Sequence, residues 1–298
     1  MPANAGAIAV LGGRAFGSYW RLTLADGADR DAARRAIERV ASRVDALLSP
    51  YRVGSELSRF NRATESMRLS PETALVTKVA LAVADQTGGA FDPTVGPIVA
   101  RYGFGPISGD ASGSYRALTL DGATLHKARP GLTLDLCGIA KGHALDCMAE
   151  ALATDGIDNL LLDLGGEVVA RGKHPEGRGW RVAVEGRGGE MIAVAALEGF
   201  AVATSGDIAQ GYRLGGSGYG HIVDPKTNRP ADRNLASVSV FHFSAMRADA
   251  LATALFAKGR EVAQGFADAL GIDAILVPRE GAPILTGAVA RHLEAVFW

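Results

Sequence analysis

The chain has 298 residues, and its 31 basic side chains nearly balance 32 acidic ones, for a formal net charge of −1. Proteins that bind nucleic acid neutralise phosphates with an excess of Lys and Arg, so this balance argues against nucleic acid as the main partner. Apolar residues make up 48% and charged residues 21%, which supports a large core and excludes a disordered or collagen-like chain. Glycine is the unusual residue, with 38 of 298 positions. We expect the extra glycines at turns and where backbone approaches a ligand.

The first residues lack the basic region of a secretion signal, and no apolar run reaches the length of a membrane span. Cys137 and Cys147 lie ten positions apart, which fits neither a C-x-x-C pair nor a zinc motif. The simplest expectation is therefore a cytoplasmic protein without a membrane span. A periplasmic location is the alternative if a leader was removed.

Apolar residues recur at helical spacing in three segments of the first half. Ser49-Pro50 ends the first of these helices. In the second, Ser70 is the predicted N-cap and Pro71 takes the first helical position. The predicted spans are about 29–48, 71–87 and 138–155.

From Asn159 onward the sequence changes to short β-type runs separated by turns rich in Gly and Asp. A helix over about 245–256, a strand over 272–277 and a C-terminal pair of strands follow. Helices and antiparallel-looking strands thus occur in blocks, which favours an α+β fold over a doubly wound sheet. Without a repeat or low-complexity linker, residues 1–298 form one predicted unit, with two intimate lobes as a possible subdivision. The β-type runs are 160–164, 167–171, 180–184, 191–194, 200–204 and 235–243.

The glycine-rich segments do not fit the common nucleotide-binding motifs. Gly103-Phe104-Gly105 is followed by Gly109, one position too late for G-x-G-x-x-G. The segment around Lys141 lacks the G-x-x-x-x-G-K-[ST] frame. Rossmann and P-loop assignments are therefore both excluded.

Three groups of polar residues remain as candidates for chemistry. Asp135 and Lys141 flank a glycine-containing strand-to-helix junction, where backbone amides and a lysine can hold an anion. Asp249 and Thr253 share one helix face, and carboxylate and hydroxyl oxygens suit Mg²⁺. His221 lies before a turn, three residues from an acid. Each group also has a plain structural interpretation: a solvated lysine at a helix start, an acid favoured near a helix N-terminus, and a structural histidine near a hairpin.

Eight segments of the chain carry a family resemblance. Leu48 to Asn61 begins L-S-P-Y and ends S-E-L-S-R-F-N, and Gly89 to Pro97 reads G-A-F-D-P-T-V-G-P. These segments resemble motifs of the FAD:protein FMN transferase family, the ApbE type, and together the eight run through nearly the whole chain. The other segments are 16–20, 135–142, 164–167, 203–207, 221–225 and 249–255.

The resemblance implies an α+β, T-fold-like architecture with mixed or antiparallel sheets and flanking helices. It implies Mg²⁺-dependent transfer of FMN from FAD to a Thr or Ser hydroxyl of an acceptor flavoprotein, with release of AMP. Mg²⁺ would be held by Asp249, Thr253 and the Gly138 carbonyl. His221, Lys141 and Asp249 are the expected catalytic residues, with His221 as the proposed base because imidazole has an unperturbed pKa of about 6.5. FAD would contact Phe16, Tyr51, Ala90, Phe91, Asp92, Asp135, Lys141, Val223 and Ala252.

The chain departs from the family pattern at a few positions, none of which removes a predicted metal or phosphate ligand. Phe16 stands where methionine is usual, Cys137 where glycine is common, and Gly220 where serine often precedes the histidine. Asn228 replaces a turn glycine, which is tolerable because Asn enters the left-handed region readily. Two other activities stay open at this point: hydrolysis of FAD to FMN and AMP, and FAD carriage without chemistry.

Overall fold

The computed structural model describes residues 7–110, 114–206, 211–214, 217–231 and 234–298. Within these ranges the helices are α1 (Arg30–Leu48), α2 (Glu56–Arg62), α3 (Pro71–Gln86), α4 (Gly96–Arg101), α5 (Cys137–Thr154), α6 (Ala245–Lys258) and α7 (Arg260–Ala269). The strands are β1 (Ile8–Ala15), β2 (Ser18–Ala25), β3 (Ser66–Arg68), β4 (Leu118–Asp121), β5 (Thr124–Lys127), β6 (Leu160–Leu164), β7 (Glu167–Arg171), β8 (Trp180–Glu185), β9 (Met191–Leu197), β10 (Ala201–Gly206), β11 (Gly211–Leu214), β12 (Ser217–Gly220), β13 (Val223–Asp224), β14 (Arg229–Pro230), β15 (Leu235–His242), β16 (Ala274–Pro278), β17 (Ile284–Thr286) and β18 (Leu293–Val296).

The central layer is an eight-stranded sheet in the order β1-β2-β6-β7-β10-β15-β16-β17, and every neighbouring pair is antiparallel. Two smaller sheets have three strands each, β18-β9-β8 and β3-β5-β4. Two-stranded ribbons form from β11 with β12 and from β13 with β14. The predicted α+β class with antiparallel sheets and flanking helices is confirmed.

From β7 to β16 the central sheet is buried on both faces, whereas β1 and β2 expose one face. Successive side chains of a strand point to opposite sides, so one strand contributes to two cores. On β16, Ala274 and Leu276 join the large core that also contains apolar side chains of α1, α5 and α6. Ile275 and Val277 on the same strand join a second core with Trp180 and other residues of β8 and β9. The sheet is therefore packed between a helical layer and the small sheet β18-β9-β8.

Side-chain caps fix where the main helices begin. Asp29 accepts a hydrogen bond from the amide of Ala32 at the start of α1, and Ser70 caps α3 with Pro71 in its first turn. The start of α6 is held from outside, because Asp146 of α5 accepts from the amides of Ala245 and Met246 at 2.8 and 3.0 Å. The predicted helix over 138–155 is also confirmed, as α5.

One sequence prediction about the fold is wrong. The two C-terminal strands exist, but they do not pair with each other: β17 pairs with β16, whereas β18 pairs with β9. A 3-10 helix, Val289–His292, separates them and carries the chain from the central sheet to the small one. The β1–β2 hairpin and helices α2, α4 and α7 had no counterpart among the predicted elements.

Searching the described residues for a helix with the length and apolar character needed to cross a membrane finds none.

Candidate active site

A cavity of about 1470 Å³ opens where the β1–β2 turn, the first turns of α5 and the middle of α6 meet. Of the thirteen residues predicted for the site, Ala252 is the exception: it is fully buried within α6 and does not line this cavity. The other twelve come from segments far apart in the sequence and line the same cavity. The predicted residues that line it are Phe16, Tyr51, Ala90, Phe91, Asp92, Asp135, Gly138, Lys141, His221, Val223, Asp249 and Thr253.

Oxygen donors gather at one corner of the cavity. Asp249 and Thr253 are one turn apart on α6, so their side chains share a face. Asp249 Oδ2 accepts a hydrogen bond from the amide of Gly142 at 3.1 Å, and Thr253 Oγ1 lies 3.2 Å from Ser205 Oγ. Gly138 faces them, since a Cβ built on it would lie 3.2 Å from Thr253 Oγ1. Only a residue with almost no side chain leaves this corner open.

Gly138 also departs from helical geometry, with φ −83° and ψ 16° inside the first turn of α5. This local kink turns the backbone of the first helical turn away from regular helix hydrogen bonding. The position therefore has backbone outside the regular helix, which is one feature that a carbonyl ligand needs.

A buried charge cluster lies beside these oxygen donors. Lys141 Nζ donates to Glu167 Oε1 at 2.5 Å, and Glu167 is 3% exposed. Burial alone would lower the pKa of Lys141, but the carboxylates of Glu167 and Asp249 outweigh it and hold this pKa above its usual value. Lys141 is therefore charged at neutral pH and available to an anion.

Burial raises the pKa of both carboxylic acids next to Lys141. For Glu167 the pKa rises to about 7, with the ammonium of Lys141 opposing the rise and Asp249 adding to it. For Asp249 burial again dominates, against the favourable effects of Lys141 and the Gly142 amide. Glu167 Oε2 is buried without a hydrogen-bond partner in the described structure. Two buried carboxylates for one ammonium leave the cluster short of positive charge.

The donor set fits the magnesium ion that the family resemblance implies. Mg²⁺ prefers hard oxygen ligands, and this corner offers a carboxylate, a hydroxyl and a backbone carbonyl. A divalent cation would also favour the ionised forms of Asp249 and Glu167, whose pKa values burial raises. The assignment of Asp249, Thr253 and Gly138 as ligands stays a prediction.

Phe16 occupies the tip of the β1–β2 hairpin in an unusual conformation. The turn has two residues, Phe16 and Gly17, with φ of 52° and 71°. Positive φ at both positions marks the tight hairpin turn that normally selects Asn-Gly or Gly-Gly, so an aromatic side chain there is strained. Backbone strain is typical of ligand-contacting positions, and this one places Phe16 at the cavity wall.

Tyr51 lies at the cavity mouth with 70% of its surface exposed. Its hydroxyl donates to the carbonyl of Phe104 at 3.4 Å, across the entrance. Phe91 lies inside instead, 4% exposed. The aromatic side chains therefore line the cavity at different depths, which suits a long ligand with more than one ring system.

Asp92 reaches the cavity, but its carboxylate oxygens are already engaged. Oδ1 accepts from the amide and hydroxyl of Thr94 at 2.8 and 2.6 Å, and Oδ2 accepts from the amide of Tyr115 at 3.1 Å. These bonds tie the loop after α3 to the segment before β4. The structure thus favours Asp92 as the residue that holds Ala90 and Phe91 in the cavity wall.

Cys137 lines the cavity next to Asp135, whose Oδ1 accepts a hydrogen bond from the Cys137 amide at 2.9 Å. Burial, reinforced by the Asp135 carboxylate, raises the pKa of the Cys137 thiol well above its usual value. A thiol held protonated is a poor nucleophile. The raised pKa therefore disfavours Cys137 as a nucleophile at neutral pH.

His221 and Val223 enter the cavity from the segment before the β13–β14 ribbon. The His221 ring meets Phe104 edge-on, with ring centroids 6.2 Å apart. Asn228 in the connecting turn has φ 57°, so the prediction that Asn takes the left-handed position of the family glycine is confirmed. Asp207, the last residue of one family-like segment, lies outside the described residues.

Glu167 and Ser205 also line the cavity, although the sequence assigned neither a role. Glu167 opens β7 directly after the Gly165-Gly166 turn, and an acid heading an apolar strand was the available signal. Ser205, near the end of β10, contacts Thr253. Both residues lie in family-like segments, 164–167 and 203–207, which were a further available signal, but the contact of Ser205 with Thr253 depends on which helix packs against the sheet.

Comparison with known proteins shows similarity along nearly the whole chain. The model of the ApbE family matches residues 16–276. A FAD:protein FMN transferase of Vibrio cholerae is 37% identical over 268 residues, which cover 84% of this chain and 80% of the relative. One from Escherichia coli K12 is 32% identical over 302 residues, covering 92% and 85%.

Comparison with solved structures shows the same family similarity. The flavin transferase ApbE from Vibrio cholerae superposes with a TM-score of 0.87 at 32% identity, covering 96% of this chain and 99% of that one. The ApbE protein from Thermotoga maritima also gives 0.87, at 27% identity and coverage of 97% and 100%.

Proposed function

Because this chain belongs to the ApbE family, we propose that it transfers FMN from FAD to a threonine or serine hydroxyl of an acceptor protein, with Mg²⁺ as metal and AMP as leaving group. Each of the two curated relatives described above is named a FAD:protein FMN transferase. The observation that carries the proposal is the meeting of Asp249, Thr253 and Gly138 beside Lys141 at the wall of one large cavity. This arrangement suits a diphosphate and its cation.

In the proposed step, the acceptor hydroxyl oxygen forms a bond to the FMN-side phosphorus of FAD. The bond from that phosphorus to the bridging oxygen breaks, and AMP leaves with the bridging oxygen. The hydroxyl proton passes to a base, for which His221 at the cavity wall is the candidate. A cation bound at the oxygen corner would neutralise charge on the diphosphate.

The residues of this chain mainly position FAD and neutralise the charge of its diphosphate. Lys141 keeps its charge because Glu167 and Asp249 raise its pKa, and it would contact a phosphate oxygen as a fixed positive charge. Phe16, Phe91 and Tyr51 offer aromatic surfaces at different depths for the isoalloxazine and adenine rings. The volume of about 1470 Å³ exceeds that of ordinary small-molecule pockets, roughly 300–1,000 Å³, which leaves room for an acceptor segment beside FAD.

The decisive experiment follows AMP release and covalent flavin together. The purified chain is incubated with FAD and Mg²⁺, with and without candidate acceptor proteins, and the acceptors are analysed by mass spectrometry. We expect an acceptor to gain the mass of FMN less one water, as a phosphodiester requires, in step with AMP release. AMP and free FMN released equally without any acceptor would indicate a hydrolase, and FAD recovered intact would indicate a carrier. Either result would overturn the proposal.

Two variants test the assigned roles. Asp249→Ala should abolish Mg²⁺-dependent transfer while the protein stays folded, whereas the matched removal of an exposed acid, Glu261→Ala on α7, should leave transfer unchanged. Wild-type flavin transfer by Asp249→Ala would remove the metal assignment. His221→Ala should reduce the transfer rate far more than FAD affinity. An equal loss of both would make His221 a binding residue rather than the base.

A further inference from the structure

A second group of potential metal ligands lies where α3 packs against α5. His143 and Cys147 are four residues apart on α5, and Glu72 belongs to the first turn of α3. Glu72 Oε1 lies 2.9 Å from His143 Nε2, and Cys147 Sγ lies 3.6 Å from that nitrogen and 4.0 Å from Oε1. None of these three residues lines the cavity described above. The cluster is therefore separate from the proposed flavin site.

These separations are close to those of ligands around a tetrahedral zinc ion, and one of the three agrees with them. With Zn–S near 2.3 Å and Zn–N and Zn–O near 2.0 Å, tetrahedral angles place sulfur about 3.5 Å and nitrogen about 3.3 Å from their neighbours. The observed 3.6 Å between Cys147 Sγ and His143 Nε2 agrees with the tetrahedral value. The distances from Glu72 Oε1 to His143 Nε2 and to Cys147 Sγ each depart from their tetrahedral values by about half an ångström. Cys147 Sγ also lies 3.9 Å from His143 Nδ1, so the sulfur is beside the imidazole ring. Binding of all three donors to one ion therefore requires the Cys147 side chain to turn until its sulfur lies in front of Nε2.

The surroundings also favour ligation. The His143 side chain is 5% exposed and that of Glu72 is 21% exposed, so the cluster is largely buried with one side open to solvent. The second oxygen of Glu72, Oε2, accepts a salt bridge from Arg43 at 2.9 Å. A ligand carboxylate held by an outer partner is the arrangement that orients metal ligands. Arg43 thus leaves Oε1 directed at His143 and Cys147.

We infer that Glu72 Oε1, His143 Nε2 and Cys147 Sγ form a zinc site that links α3 to α5, with water from the open side as the fourth ligand. Sulfur and imidazole donors select Zn²⁺ over Mg²⁺, so this site and the oxygen corner bind different metals. On binding, the Cys147 thiol proton passes to solvent and the sulfur forms the bond to zinc. His143 coordinates as the neutral imidazole, with its proton on Nδ1.

The metal-free thiol is not ionised in advance. Burial, with a further contribution from Glu72, raises the pKa of Cys147 to about 11. A cation at the centre of the cluster reverses this effect, because a coordinating thiol is deprotonated outright. Cys147 is thus a protonated thiol without metal and a thiolate ligand with it.

Cobalt is the probe that tests the site. The reduced, chelator-treated full-length protein is titrated with Co²⁺ in excess Mg²⁺, which occupies oxygen-donor sites, and absorption is recorded. Co²⁺ bound to a cysteine thiolate gives a sulfur-to-metal charge-transfer band that oxygen ligands do not produce. We expect this band to saturate at one equivalent and to disappear when Zn²⁺ is added.

Three variants identify the residues that produce the charge-transfer band. Cys147→Ser should abolish it, Glu72→Gln should weaken Co²⁺ binding by at least about tenfold, and Cys137→Ser should retain it because that thiol lies in the other site. Zn²⁺ should also raise the thermal unfolding midpoint of the wild type and not that of Cys147→Ser. No thiolate band in the wild type, or a band that survives Cys147→Ser, would overturn the inference. An equal thermal shift in both proteins would do the same.

Discussion

Replacing Gly142 by alanine tests how the contact between α5 and α6 supports the site. A Cβ at this position would lie 2.2 Å from the carbonyl oxygen of Ala245 and 2.8 Å from the Cα of Met246. Ordinary contact requires about 3.5 Å, so the helices would have to separate by roughly 1 Å. Overpacking costs about 1–3 kcal/mol. The upper end applies because the added Cβ would clash with backbone atoms, which cannot move aside as a flexible side chain can. The better helix propensity of alanine returns about 1 kcal/mol.

We therefore expect Gly142→Ala to lower the free energy of unfolding by about 2 kcal/mol, measured by urea denaturation. The Gly142 amide donates to Asp249 Oδ2, so the same shift should also displace this proposed ligand and raise the Mg²⁺ concentration needed for half-maximal transfer. Gly265 in α7 is the matched control: a Cβ added there would have no atom within 4 Å, and Gly265→Ala should stabilise by about 0.5–1 kcal/mol. A Gly142→Ala protein as stable as the wild type would refute the close-contact argument.

Three further predictions concern strain and charge. Phe16→Asn should raise the unfolding free energy by about 1 kcal/mol, because Asn suits the positive φ of 52°, while weakening FAD binding in a fluorescence titration. Asn228→Ala should lower that free energy by about 1 kcal/mol and Asn228→Gly should leave it nearly unchanged, both by urea unfolding. The third is Glu167→Gln in the metal-free protein. The folded-state pKa of Glu167 is raised from 4.5 to about 7, so the folded protein retains a proton that the unfolded chain has lost, and the Glu167 contribution falls as pH rises through this window. The unfolding free energy of Glu167→Gln minus that of the wild type should therefore rise from pH 5 to pH 8, by at most about 3 kcal/mol in urea unfolding with chelator. A difference independent of pH would contradict the charge assignment.

Helices were predictable where local chemistry alone decides them. The spans of α1 and α3 follow from apolar spacing and from the caps Asp29 and Ser70, and each starts within one residue of its predicted position. The short helices α2 and α4 have seven and six residues. Too few turns are present for a periodic signal, so their formation depends on tertiary contacts that sequence spacing does not record.

The β1–β2 hairpin was missed because its sequence contradicts its structure locally. Gly12 and Gly13 lie inside β1, and glycine is depleted in strands. In the folded protein, Gly13 faces Trp20 across the ladder, and a Cβ there would lie 2.6 Å from the indole. The glycine makes room for a large buried side chain from the next strand. Such a reason is visible only once the two strands are paired.

All but one of the residues predicted for the site line the cavity, but their motifs did not show how they interact. Lys141 was predicted to meet a phosphate, whereas its partner Glu167 had no assigned role although the two form a buried pair. The cysteine spacing excluded a zinc motif, yet His143 and Cys147 meet Glu72 from another helix. In both cases the missing information is which segments distant in sequence pack side by side, and no local pattern contains it.

The proposed metal corner depends on α5 and α6 behaving as one rigid unit. Asp146 binds the first turn of α6 through the Ser244 hydroxyl and the amides of Ala245 and Met246. One turn further along, the Gly142 amide binds Asp249. These two sets of hydrogen bonds prevent α5 and α6 from rotating or sliding against each other. Gly138 and the face of α6 that carries Asp249 and Thr253 therefore keep the same separation even if the surrounding loops move. Pre-organisation of this kind holds a cation site in shape before the cation binds, because the entropy of ordering its ligands is already lost on folding.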